Sequence, residues 1–203
     1  MGSIPDTDRL DTDRATVRDA AAPVTTGQLA TDLDRSQSQI AAALADLAER
    51  GEVRLDEHGA VSGAGGLSVH PDRHEIELDG RRFWTRCAYD ILGIFAALGA
   101  SGSAVSPSPG RDEPIRLTFH AGRPDPADAV LFRPDESLAD RCANPYEQWC
   151  PNSNLFPTPE VATAWAQANH LTGAVLDLDT AAEQGGAAWR PLVAVKRGRR
   201  ERE

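Results

Sequence analysis

The stretch Arg82-Phe-Trp-Thr-Arg-Cys-Ala-Tyr-Asp-Ile-Leu-Gly-Ile-Phe-Ala-Ala-Leu98 changes character at Cys87. Arg82–Trp84 reads as a strand, while Ala88 to Leu98 is apolar almost all round, the composition of a buried helix. Cys87 and Asp90 stand at i and i+3, so on that helix their Cβ atoms share a face roughly 5–6 Å apart and can reach one ligand. Asp90 is then a carboxyl in an apolar wall. Full burial raises a carboxyl pKa by as much as ~3–5 units, which predicts a proton donor at neutral pH. Cys87, at the helix start, is expected to feel the opposite push, because helix N-termini bring a thiol below its free pKa of about 8.5.

A second thiol, Cys150, lies sixty-three residues on in Trp149-Cys150-Pro151, and the chain holds only three cysteines. Two thiols and a carboxyl make a donor set for a soft metal with its own acid. Each residue also has a plainer reading: Cys87 as a small buried hydrophobe, Asp90 as a charge favoured by the helix dipole, Cys150 and Cys142 as loop thiols. A Cys142–Cys150 disulfide, or a zinc site including Cys87, is a further alternative; the lack of any Cys-x-x-Cys pair speaks against zinc. His70 and His74 are separated by too rigid a segment, through Pro71, to form a helical metal pair, and both read as solvated strand positions.

Residues 82–98 resemble the segment of the organomercurial (alkylmercury) lyases that carries their first active-site cysteine and their aspartate. The Cys150 segment, with Asn154-Leu155-Phe156 and a helix opening Pro159-Glu-Val-Ala-Thr-Ala-Trp, resembles the segment that carries their second cysteine. The separation agrees as well, and the resemblance covers about Ala21 to Leu192. It implies that Cys87 and Cys150 take the mercury of a small organometallic R–Hg–X, that Asp90 can join them as a ligand and protonates the carbon, and that the products are R–H and thiolate-bound Hg(II). A mercuric reductase is the implied acceptor of the metal, and no organic cofactor is implied. The chain departs from the pattern at Pro151-Asn152-Ser153, where histidine and aromatic residues are expected, and Cys142 has no counterpart role. Two rival readings use the same thiols: a non-catalytic binder of mercury, copper or another soft ion, and an enzyme of specialised metabolism on the same scaffold.

Composition bounds the rest. The 203 residues suit one compact domain with an appendage, or two small ones. An odd cysteine count without a hydrophobic N-terminal segment predicts free thiols in the cytoplasm. No run approaches the ~20 apolar residues of a membrane span, and a net charge of −10 disfavours nucleic acid and anionic lipid.

Along the chain we expect a tail over residues 1–22 with a short helix at 14–21, a winged helix-turn-helix-like module over 23–66, a lyase-like core over 67–192 and a basic, solvated tail over 193–203. In the module, Val24–Ala30 and a helix capped by Ser36, with Ile40, Leu44 and Leu47 at helical spacing, precede a hairpin around Asp56-Glu-His-Gly59. The second helix carries no Lys or Arg from Ser36 to Glu49, so it lacks partners for phosphate and guanine edges and reads as a packing element. Gly63-Ala-Gly-Gly66 reads as a linker. Further strands are expected at Leu67–His70, His74–Leu78, Ile115–His120, Ala129–Phe132 and Gly173–Leu178, with a helix at Thr158–Asn169 and loops at Ser101–Pro114 and Arg133–Cys142, the last leading to Cys150 in irregular chain. Helices and strands without a regular βαβ rhythm predict an α+β fold with a mixed sheet.

Overall fold

The computed structural model describes residues 21–125, 127–141 and 144–194. Expectations for residues 1–20, for residues 195–203 and for Cys142 fall outside these residues; Ala21, expected in the first tail, is instead buried and donates its N–H to the Arg82 carbonyl, and Val193 and Ala194 belong to the last helix rather than to a tail.

Two capped helices open the chain. In α1 (Thr26–Leu33) and α2 (Gln37–Glu49), Thr25 and Ser36 each accept a hydrogen bond from the backbone of Gln28 and Gln39, whose side chains cap back in return. Ala30, Ile40 and Leu44 bury against each other and against Val53, Leu55 and Val61 of the antiparallel hairpin β1 (Val53–Leu55) and β2 (Val61–Ala64). Asp56 forms the turn, accepting from the N–H groups of His58 and Ala60.

The hairpin runs on into the core. Gly65 and Gly66 make a tight left-handed turn, and β3 (Leu67–Ser68) pairs with β2, so the glycine-rich stretch is a turn within one sheet rather than a linker. That sheet continues through β4 (His74–Leu78), β5 (Arg81–Thr85), β6 (Gly102–Ser106), β7 (Ile115–His120) and β8 (Arg123–Pro124), in the order β1-β2-β3-β5-β4-β6-β7-β8. A second sheet places β9 (Val130–Pro134) between β10 (Asn154–Phe156) and β11 (Gly173–Asp177).

The fold is α+β, as expected, but the mixed sheet is not found: every pairing among the described residues is antiparallel. The connection from β5 to β6 explains this. It crosses over through α3 (Ala88–Leu98) and so runs β6 parallel to β5, but β4 lies between them and converts each contact to an antiparallel one. The expected loop 101–114 holds β6, whose small residues Gly102, Ser103 and Ala104 carry little strand signal.

α3 is the core. Ile91, Leu92 and Phe95 are fully buried on it, and Phe95 stacks on Phe119 of β7 at 3.9 Å between ring centres. Its other side meets α7 (Leu178–Ala194), a helix absent from the sequence-based expectation because Gly185, Gly186 and Pro191 all weaken helix propensity. The glycines are there for contact: a Cβ on Gly185 would come 2.8 Å from the Cα of Gly93. α6 (Pro159–Ala168) covers the second sheet with Ala162 and Ala166, and Trp165 packs edgewise on Phe132. Between β9 and β10 run the short helices α4 (Glu136–Arg141) and α5 (Pro145–Gln148) and a 3-10 turn at Cys150–Asn152, where irregular chain was expected.

His74 is a second correction. It is fully buried rather than solvated, sharing a 2.8 Å hydrogen bond between Nδ1 and Ser106 Oγ. Burial, helped by the nearby Arg73 charge, pushes its pKa down to about 3, so it is neutral.

In an exposed helix, Gly→Ala adds up to ~1 kcal/mol of stability. Gly185→Ala should do the opposite, losing roughly 1–3 kcal/mol by overpacking α3. Urea unfolding of the variant measures the sign, and a gain in stability would show that α3 and α7 do not touch there.

Candidate active site

The start of α3 leaves its first N–H groups without helical acceptors. Cys87 is the cap residue, in an extended conformation and without a capping side chain. Ser153 supplies the acceptors instead: its carbonyl takes the N–H of Ala88 at 3.3 Å and its Oγ the N–H of Tyr89 at 3.2 Å. Ser153 lies three residues after Cys150 and donates its own N–H to the Cys150 carbonyl. Docking Ser153 on the helix therefore carries Cys150 to Cys87. The departure at Pro151-Asn152-Ser153 thus has a structural use, which no sequence pattern announced.

Asp90 lies one helical turn beyond Cys87. The two thiol sulfurs and an Asp90 carboxylate oxygen all fall within 4.8 Å of one another. Cys87 and Asp90 are buried, Cys150 is partly exposed, and both cysteines are free thiols. Gly66 closes the site over Asp90: a Cβ there would meet the carboxyl carbon at 2.5 Å, and its positive φ also suits glycine. Trp189 of α7 holds this turn by donating Nε1–H to the Gly65 carbonyl at 2.8 Å. Tyr89, next to Asp90 in the helix, packs edgewise against Trp149 and Trp189, with centroids at 6.3 and 5.8 Å.

Protonation follows expectation at Asp90 and departs from it at Cys87. Burial, then the neighbouring Cys87 and the more distant Asp72, push the Asp90 carboxyl well above the usual carboxylate range, as its apolar surroundings predict. Cys87 moves the wrong way for a ready thiolate. Burial pushes its thiol well up, the adjacent Cys150 adds to this, and hydrogen bonding from Ser153 and the Asp90 backbone only partly offsets it. The magnitudes explain the outcome: a helix terminus is worth ~0.3–1 kcal/mol to a charge, whereas full desolvation shifts a pKa by several units. Burial thus favours the protonated form of both Cys87 and Asp90.

Sequence reading missed the polar frame around the thiols. Arg73 donates to the Pro151 carbonyl at 3.0 Å and to Asn154 Oδ1 at 2.6 Å, close enough to both thiols to interact with their charge. Asp72 is ringed by Tyr146, Arg54 and Arg86. Burial opposes its ionisation, but the Tyr146 hydroxyl, the Arg73 N–H and the two guanidinium groups hold its carboxyl below the ordinary range. No local signal links positions so far apart in the chain.

The family described as alkylmercury lyase matches residues 67–190, which include every member of the cluster. The chain belongs to the alkylmercury lyase family. It is 33% identical over 175 residues to the alkylmercury lyase of Streptomyces lividans, covering 84% of this chain and 75% of that protein. With the alkylmercury lyase of Staphylococcus epidermidis it is 33% identical over 138 residues, 66% of this chain, and the match spans only 61% of that relative. Among solved structures, the mercury-bound form of MerB2 has the same fold, with a TM-score of 0.69 at 24% identity over 83% of this chain and 82% of that one.

Asp90 binds its proton more tightly in the folded chain than in the unfolded one. As pH rises from the ordinary carboxylate range towards the raised one, the folded state therefore loses stability, by up to ~1.4 kcal/mol per pH unit. Asp90→Asn has no such proton to lose. In metal-free, reduced protein the variant should match the parent at about pH 4 and exceed it at about pH 7. Urea unfolding across pH reads the difference, and a constant offset would mean that Asp90 titrates normally.

Proposed function

We propose that the protein cleaves carbon–mercury bonds by protonolysis, with Cys87 and Cys150 as mercury ligands and Asp90 as the acid. The observation that carries this reading is a buried carboxyl, its proton affinity raised by that burial, within 4.8 Å of two free thiols. Soft Hg(II) prefers thiolate to oxygen, so a binding site alone would need no acid beside its sulfurs.

The chemistry balances with the groups present. Cys150, the partly exposed thiol, displaces X from R–Hg–X, and its proton leaves with X as HX. Cys87 then adds to the metal as a thiolate. Mercury coordination makes this thiol acidic despite its burial, as metals do for their thiol ligands. Two sulfurs push electron density into the Hg–C bond, and Asp90 delivers its proton to carbon as that bond breaks. The proton that Cys87 gives up on binding mercury passes to Asp90 in the same step, as the carboxyl releases its own to carbon. The net change is R–Hg–X plus two thiols giving R–H, HX and a mercury bis-thiolate. Exclusion of water around Cys87 and Asp90 keeps the carboxyl protonated until the metal arrives.

Working thiols suit a reducing compartment, and the cytoplasm with a mercuric reductase as metal acceptor is the setting that fits. Among the described residues no helix is long and apolar enough to cross a membrane. The 23–66 segment is a winged-helix-like module in this reading, serving the 67–192 core as a packing element.

Incubation with phenylmercury and excess small thiol, with benzene as the measured product, tests the function. The parent should turn over, and Cys87→Ala or Cys150→Ala should abolish release. Asp90→Asn should still bind the organomercurial but lose ~10²–10⁴-fold in rate, the usual cost of a positioned acid. A parent that binds phenylmercury and releases no benzene would leave a storage protein.

A further inference from the structure

The strap from Asn144 to Asn154 that carries Cys150 has little to hold it by itself. Its helix α5 is a single turn with Glu147 and Gln148 exposed, and helices so short are marginal in water. External pins replace internal stability. At one end two guanidinium groups lie over the Tyr146 ring, Arg54 at 4.6 Å and Arg86 at 4.7 Å from its centre. The Tyr146 hydroxyl accepts from Arg54 and donates to Asp72, and Arg86 Nε donates to the Tyr146 carbonyl at 3.1 Å. At the other end Arg73 holds the Pro151 carbonyl and Asn154. Cys150 sits between the pins.

The clamp also reaches the other thiol and the N-terminal module. Arg86 directly precedes Cys87, and Arg54 belongs to β1. Gly63 on the paired strand β2 makes room for Arg54, since a Cβ there would come 2.7 Å from its Nε. Asp72, with only 7% of its side chain exposed, is the common anion of both arginines.

We propose that Tyr146, gripped by Arg54, Arg86 and Asp72, is a positioning residue that fixes Cys150 against Cys87, and that Arg54 makes the N-terminal module part of the active site. This rests on the lyase reading above for its catalytic consequence, but the position of Cys150 can be measured without turnover. In a Cys142→Ala background, the rate at which Cys150 reacts with the disulfide reagent DTNB reports its freedom. Arg54→Gln, which leaves the strap itself untouched, and Tyr146→Phe, which removes both hydroxyl hydrogen bonds, are the variants. Each should speed labelling of Cys150 by at least ~10-fold and lower kcat for benzene release by at least ~10-fold with a smaller change in KM, since a misplacement of ~1 Å can cost ~10²-fold. Arg54→Lys, which keeps the charge, should recover part of both.

Folded Arg54→Gln protein whose labelling rate stays within about twofold of the parent overturns the clamp, even if its melting temperature falls, because a purely structural contact would change stability alone. That variant decides the matter if Tyr146→Phe does not fold. Should the parent release no benzene, the lyase reading fails while the labelling comparison still decides the clamp.

Discussion

Two N–H groups at the head of α3 need acceptors, and both find them on Ser153. Most of the site follows from that pairing. It brings a residue three places from Cys150 onto the helix that begins after Cys87, and it does so inside the protein, where an unpaired N–H costs ~1–3 kcal/mol. The strap is thereby docked at its far side, and the clamp around Tyr146 steadies it at the near side. Asp90 follows on the same helix, one turn along, under the roof made by Gly66.

The neutral resting state comes from the same burial. A thiolate and a carboxylate side by side in an apolar pocket would repel each other with little solvent to screen them, so the folded protein keeps both protons on until a cation arrives. In the proposed chemistry mercury supplies what the pocket lacks, a positive charge that makes sulfur anionic. The thiol's reluctance to ionise is then a form of selectivity: weakly bound hard cations gain too little from sulfur to drive off its proton.

Sequence made α3 legible because its signal is local. An apolar run with a cysteine at its head and an acid three residues on gives the helix, the shared face and the raised Asp90 together. The protonation of Cys87 was misread because the helix terminus is visible in sequence and the depth of burial is not. α7 was missed for a related reason: Gly185, Gly186 and Pro191 argue against a helix locally, and only the close approach to Gly93 shows why the glycines stand there. The strands of the core with alternating or β-branched residues were placed well, while β6, built of glycine, serine and alanine, was read as loop. The ring of Arg54, Asp72, Arg86 and Tyr146 draws on four separate segments, so nothing short of the fold could have assembled it.

The turn at Gly65–Gly66 gives the family-matched segment, residues 67–190, a dependence on what precedes it. Taken alone, that segment would contain Cys87, Asp90 and Cys150 and yet lack the backbone lying on the Asp90 carboxyl. Water entering there would hydrate the carboxylate and return the acid towards an ordinary strength. The raised proton affinity of Asp90 therefore belongs to the joined chain, and the turn that precedes Leu67 stands over the carboxyl as an insulating wall.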